Sequence, residues 1–157
     1  MEDLTGILRK LGVFEGLSEE DLDKIVKICI TKSYTKGDVI FEDNTSGEDL
    51  FIVLEGNMKI KLEAVLPHYD IALSTIEAGQ IFGELALIDS SPRSATVVCE
   101  TDAQVAVLNG EKLNRLMEED NHIGYVLMKN IARTICARLR KANRELLQAF
   151  RLRLFEK

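Results

Sequence analysis

The sequence predicts a mainly β domain with helices at both ends: an antiparallel, jelly-roll-like β-roll flanked by N-terminal helices and a long C-terminal helix. Three observations carry this. Apolar residues recur at helical spacing in the first segment, short apolar or alternating runs punctuated by glycines fill the middle, and a long helical pattern closes the chain. With 157 residues, 46% hydrophobic and 29% charged, the chain suits one core, so we read residues 1–157 as a single domain. Its parts are N-terminal helices over 1–30, a β-roll over 31–108 and C-terminal helices over 109–157.

Leu4, Ile7, Leu8 and Leu11 predict a short amphipathic helix that ends near Gly12. Ser18-Glu19-Glu20-Asp21 has the form of a capping box, a hydroxyl at the cap and an acid three residues on. It opens a second helix whose apolar face is Leu22, Ile25, Val26 and Cys29. After Thr31 the period becomes strand-like, in Val39-Ile40-Phe41, Leu50 to Leu54, Met58/Ile60/Leu62, Ile71/Leu73, Ala95/Val97/Cys99 and Val105/Val107. Gly37, Gly47, Gly56 and Gly79 stand between these runs, a pattern of antiparallel barrels and sandwiches. Glu55-Gly56-Asn57 reads as a hairpin turn.

Leu113, Leu116 and Met117 mark a short helix in the third region. Beyond Asp120, Leu127, Ile131, Ile135, Leu139, Ala142, Leu146, Phe150 and Leu154 step by three or four residues with no proline to stop them. A helix of about thirty residues exceeds the ordinary globular range and predicts a helix alongside. Two arrangements remain open: a dimerisation helix, and a single helix lying across its own β-domain. They are compatible if the first half docks and the second half pairs.

Composition excludes several classes. Cys29, Cys99 and Cys136 are odd in number, widely spaced and set in apolar contexts, which argues against a disulfide framework or a CxxC site. His68 and His122 are the only histidines, too few for a His-rich catalytic or metal centre, so we expect no enzyme and no cofactor. Met1-Glu2-Asp3-Leu4 has acids where a secretory signal has bases, and no stretch reaches membrane-spanning length, so the expected location is the cytoplasm, away from membranes. The net charge is -6, yet Arg133, Arg138, Arg140, Lys141, Arg144, Arg151, Arg153 and Lys157 face only Glu145 and Glu156 from Ile131 onward. Interleaved with periodic leucines, these bases read as a solvated helix face; contact with nucleic acid is the alternative.

The stretch with most chemistry is 79–97, GQIFGELALIDSSPRSATV. Gly83-Glu84-Leu85-Ala86 offers backbone N–H groups at a helix start, after a residue that permits close approach, which is an anion site. Arg93 adds a planar fork of donors suited to phosphate and Ser94 a hydroxyl. Glu84 repels a phosphate but is a strong acceptor for a sugar hydroxyl. Spacing alone leaves two readings: a ribose-phosphate site, or a surface Glu84–Arg93 ion pair across a loop.

The segment FGELALIDSSPRSATV resembles the phosphate-binding cassette of cyclic nucleotide-binding domains, shared by cyclic-AMP-dependent protein kinase regulatory subunits and the bacterial cyclic-AMP receptor protein family. The likeness extends upstream through KGDVIFEDNTSGEDLFIVLEGNMKI and downstream into ICARLRKANREL, so nearly the whole chain is covered. The resemblance implies that Glu84 accepts the ribose 2′-hydroxyl and Arg93 pairs with the cyclic phosphate. It also implies backbone contacts from Gly83, Leu85, Ala86 and Ala95 and a polar contact from Ser94. Ile60, Leu73 and Ile76 would line the wall against sugar and base, or be plain core. Two registers of the long helix remain open, one bringing Ala142 and Asn143 to the base and one bringing Arg138. Asn44 stands where the family has a turn glycine, which asparagine tolerates.

The expected protein is therefore a cyclic nucleotide sensor, with cyclic AMP favoured and cyclic GMP the alternative. It would be homodimeric through its last helix and act on an unidentified protein effector. The family's transcription factors continue into a helix-turn-helix past the long helix; no such element follows here before Lys157, so DNA is not the expected partner. Two rivals are a constitutive dimeric adaptor with a vestigial pocket and a nucleic-acid-associated regulator using the basic helix.

Overall fold

Side-chain caps start both N-terminal helices, and the one that opens the second is the box the sequence predicts. The structure, a computed structural model, describes residues 3–63 and 70–155; the side chains of Glu63 and residues 70–73, along with His68, Glu156 and Lys157, lie outside that description. Asp3 caps α1 (Leu4–Arg9) by accepting from Gly6 N. Ser18 caps α2 (Glu19–Val26) in a reciprocal box with Asp21, the two bonds measuring 3.0 and 3.2 Å. A 3-10 turn, Gly12–Phe14, drives Val13 and Phe14 inward between them.

Helix α2 stops at Val26, and Cys29, expected on its apolar face, instead opens β1 (Cys29–Tyr34) opposite Leu108. Lys27 ends the helix, and Ile28 N turns back to Ile25 O. The edge strand that follows exposes Ile30, Thr31, Lys32 and Ser33, so it carries no strand alternation to announce itself.

The roll continues through β2 (Val39–Phe41), β3 (Leu50–Glu55), β4 (Met58–Glu63), β5 (Asp70–Ile76) and β6 (Ile81–Phe82). After α3 (Glu84–Asp89) come β7 (Thr96–Cys99) and β8 (Ala103–Leu108). Among the described residues these form two antiparallel sheets, ordered β1-β8-β3-β6 and β2-β7-β4-β5. The expected hairpin at Glu55-Gly56-Asn57 is thus a corner. β3 pairs with β6 and β8, whereas β4 pairs with β5 and β7, so the turn carries the chain from one sheet to the other. Gly56 has φ +84°, and a Cβ there would meet Asp102 O at 2.4 Å, so the corner closes only on glycine.

Strand β3 is apolar from Leu50 to Leu54, and both faces of its first four residues are buried. Leu50 and Ile52 join a cluster with Leu8, Phe14, Leu22, Ile25 and Leu127, and Phe51 and Val53 join a second inside the roll with Met58, Phe82, Val97 and Val105. Each such side chain contributes about 1.5–3 kcal/mol of transfer free energy, and β3 with β8 welds the helical layer to the roll.

Asn109 caps α4 (Gly110–Glu119), and α5 (Asn121–Phe155) follows at once. At 35 residues, α5 is about 50 Å long. Its first half docks: Ile123, Leu127 and Ile131 are fully buried, and buried Asn130 donates from Nδ2 to Val13 O and Glu15 O at 2.9 Å each. Its second half leaves Leu139, Leu146, Phe150 and Leu154 exposed. Cys136, assigned to an apolar context by sequence, is exposed on it. Among the described residues no helix is long and apolar enough to cross a membrane.

Candidate functional site

Strand β6 ends at Phe82, and Gly83, with φ +79°, turns the chain into α3. No side chain caps α3, so its first-turn N–H groups are open to an acceptor, with Glu84 the one acid in that turn. Ser90, also left-handed at φ +56°, ends α3 and sends the chain through Ser91 and Pro92 to Arg93. Arg93 is clamped by its backbone: its N–H donates to Thr45 O and its carbonyl accepts from Asn44 N, both at 2.8 Å. Asn44 sits at φ +59°, the left-handed turn expected of it.

Arg93 is buried, 5% exposed. Nη1 donates to Gly83 O and Nη2 to Asp49 O, each at 3.1 Å, and Cζ stands 4.3 Å from the Phe41 ring centroid. Among the described residues its Nε has no partner. Burial pulls this guanidinium below its ordinary range, while the charges of Asp49 and Glu84 act the other way. A buried cation with its Nε–H open is suited to an anion.

Glu84 is also buried, yet its partner is not Arg93. Its Oε1 accepts from Arg138 Nη1 of α5 at 2.5 Å, and Arg138 Nη2 donates to Ile81 O. The Glu84–Arg93 ion pair that spacing left open is therefore not formed.

These groups border a cavity of about 400 Å³. Gly83, Glu84, Leu85, Ala86, Arg93, Ser94 and Ala95 line it, with Ile60 on the roll and Arg138 above. A second cavity of about 420 Å³ shares Ile60, Arg138 and Ala142 and runs on between Ser74, Thr75, Ile76, Gln80, Lys141 and Glu145. So ten of the candidate ligand contacts singled out by sequence, Ala142 among them, meet in one place and Ile76 in the adjoining one. Asn143 is exposed and borders neither, and the Leu73 side chain lies outside the described residues. Between the two helix registers, the packing brings Arg138 and Ala142 to the cavity.

Sequence reasoning missed Phe41, which supports the Arg93 guanidinium, along with Phe82, Val97, Ile135 and Leu139 of the lining and the Asp49 carbonyl. An aromatic under a cation is a tertiary contact, and Phe41 is 52 residues from Arg93 in sequence. The assembled chemistry is one buried cation, one buried carboxylate, uncapped helix amides and an apolar wall: a site for a molecule bearing an anion, a hydroxyl and a flat apolar part.

Comparison with known proteins gives the family. Residues 31–120 match the family model for the cyclic nucleotide-binding domain. The chain is similar to cGMP-dependent protein kinase 2 of Mus musculus, 30% identical over 115 residues that make up 73% of this chain and 15% of the kinase. It is similar to the cyclic AMP receptor protein of Thermus thermophilus, 28% identical over 85% of this chain and 60% of that one. The chain thus spans only part of these relatives. Among solved structures, the regulatory domain of Toxoplasma gondii PKA, crystallised with cAMP, superposes with a TM-score of 0.70 at 26% identity, over 82% of this chain and 48% of that one.

Proposed function

Since the chain belongs to the family of cyclic nucleotide-binding domains, we propose that it is a non-enzymatic sensor of a cyclic nucleotide, with cyclic AMP favoured over cyclic GMP. The observation that carries this reading is the convergence of Arg93, Glu84 and the uncapped start of α3 on one cavity beneath α5. The cyclic phosphate lies against Arg93 and the α3 amides, the ribose 2′-hydroxyl donates to Glu84, and the base points along the wall of Ile60 and Ile76 under α5.

Signalling follows from that placement. Because α5 forms one wall of the cavity through Ile135, Arg138, Leu139 and Ala142, a ligand that touches it favours the docked helix over the released one. It shifts the population by the difference in its affinity for the two. The docked or released helix is what a cytoplasmic protein effector reads. The exposed stripe of Leu139, Leu146, Phe150 and Leu154 supports pairing with the same helix of a second copy. Sedimentation of Leu146→Asp checks this: a dimer that the variant converts to monomer is expected.

The test of ligand binding is thermal unfolding with excess cyclic AMP, cyclic GMP and linear AMP, beside Arg93→Ala. A ligand that binds only the native state raises Tm. The expected result is a rise with a cyclic nucleotide that Arg93→Ala abolishes. No rise with any of the three overturns the sensor reading in favour of a constitutive adaptor.

A further inference from the structure

Helix α5 has three faces. At about 100° per residue, Leu127 and Ile131 form the docked one, Leu139, Leu146 and Phe150 the exposed apolar one, and Arg133, Arg140, Arg144 and Arg151 a third, roughly 120° from one to the next. The arginines are spaced by 7, 4 and 7 residues, so they fall within about 40° of arc and run about 27 Å along the helix. All four are exposed, and among the described residues none has an ion pair or a hydrogen bond. The one acid of α5, Glu145, lies off this line and is taken by Lys141 at 3.8 Å. Arg140 and Arg144 are an i,i+4 pair of like charge, which disfavours the helix that carries it. A face with four cations, no acid and a repulsive pair leaves its countercharge to come from outside the chain.

Resting on the reading above that α5 is what an effector meets, we propose that the arginine face is the effector's docking surface and that the effector meets it with an acidic helical segment. Each guanidinium presents a planar fork that matches a carboxylate in two hydrogen bonds. Steps of about two turns, one turn and two turns are those of one face of a second helix. The order of spacings reads the same from either end, so a partner helix of either direction fits. A longer polyanion is disfavoured by the rest of the molecule. Residues 1–130 hold 24 acids against 12 bases, and their field repels a nucleic acid or an anionic bilayer that reaches past α5, whereas a short segment stays on the arginines. Docking of α5 on the domain and pairing with a second copy use the other two faces, so the third stays open in both.

The experiment measures, by fluorescence anisotropy with the full chain at low salt, a labelled helical peptide of alanine and glutamine whose four glutamates repeat the arginine spacing. The control has the same composition with its four glutamates spread around the helix. The matched peptide is expected to bind about tenfold to a hundredfold more tightly, the scale of four exposed arginine–carboxylate pairs. In the double variant Arg140→Gln/Arg144→Gln that advantage falls to about threefold to tenfold, and Arg140→Lys/Arg144→Lys, which keeps the charge and loses the fork, recovers part of it. The rise of Tm with cyclic AMP is expected to match wild type in both variants, since neither residue borders the cavities. Equal binding of the two peptides leaves only net charge and overturns the inference. Phosphatidylserine vesicles or a duplex oligonucleotide binding more tightly than the matched peptide, compared at equal anionic charge, overturns it too and makes the face a polyanion surface. Loss of both the peptide advantage and the cyclic AMP response in the glutamine variant makes the arginines structural and overturns it. A peptide advantage in a wild type whose Tm no cyclic nucleotide raises supports this inference and overturns the sensor reading, so the two failures are told apart.

Discussion

Replacing Arg93 with methionine separates what this residue does for ligand from what it does for the fold. In the structure Arg93 is 5% exposed; its guanidinium holds two carbonyls at 3.1 Å each, lies 4.3 Å from the centre of Phe41 and, among the described residues, leaves Nε unpaired. Hydrogen bonds from a charged donor contribute roughly 1.5–3 kcal/mol each, and a desolvated cation–π contact about 2 kcal/mol. Against these stand several kcal/mol for taking the ion out of water and roughly 1–3 kcal/mol for the open Nε. The two sides nearly cancel. Methionine, of similar length and apolar, is expected to leave stability within about 2 kcal/mol of wild type, a Tm shift of no more than about 8 °C. Cyclic nucleotide affinity is expected to fall by about 2–5 kcal/mol, thirtyfold to several-thousandfold, because the phosphate loses its countercharge. Calorimetric titration and thermal unfolding on the same preparation measure both. A variant that loses more than about 15 °C, as a core truncation would, makes Arg93 a structural residue. One that keeps its affinity puts the anion elsewhere. Either result refutes the reasoning.

Three further outcomes follow from local geometry. Asn130→Ala removes both bonds that tie α5 to Val13 O and Glu15 O. Leaving those carbonyls unpaired is expected to cost about 2–4 kcal/mol, read as a lower denaturation midpoint. Gly56→Ala places a methyl 2.4 Å from Asp102 O at φ +84°; it is expected to lower Tm by more than Gly37→Ala, which shares a left-handed φ of +94° but whose Cβ meets nothing within 4 Å. Burial pushes the Cys29 thiol up from 9.0 to about 11. The folded state then holds this proton more tightly than the unfolded one, so its contribution is intact below pH 9 and is lost as pH rises from about 9 to about 11. Cys29→Ala is expected to flatten the fall in stability across that window, measured by urea unfolding at stepped pH.

Much of the site was legible because its parts are contiguous. The 79–97 segment supplies the turn, the helix start, the carboxylate and the arginine within nineteen residues, and the structure gathers nearly all of them around one cavity. What the sequence misassigned were features set by pairing. Gly56 reads as a hairpin residue because a glycine between two apolar runs is the hairpin signal, but whether the second run pairs with the first depends on strands β7 and β8, which begin 40 and 47 residues beyond it. Cys29 continues a helical spacing, yet β8 claims it for an edge strand, and a long-range ladder outweighs a residue's weak helical preference.

Period and caps therefore determine on their own that this chain has helices at both ends and a glycine-punctuated roll between, since those signals are carried by neighbours in sequence. Tertiary structure alone decides which arginine meets Glu84. Arg93, nine residues away, points to carbonyls, and Arg138, fifty-four residues away, makes the pair. The physical reason is that α5 has one side chain for each face at each turn. Docking of Leu127 and Ile131 in the core sets the helix's rotation, and that rotation brings Arg138 and Ala142 over the cavity and turns Asn143 to solvent.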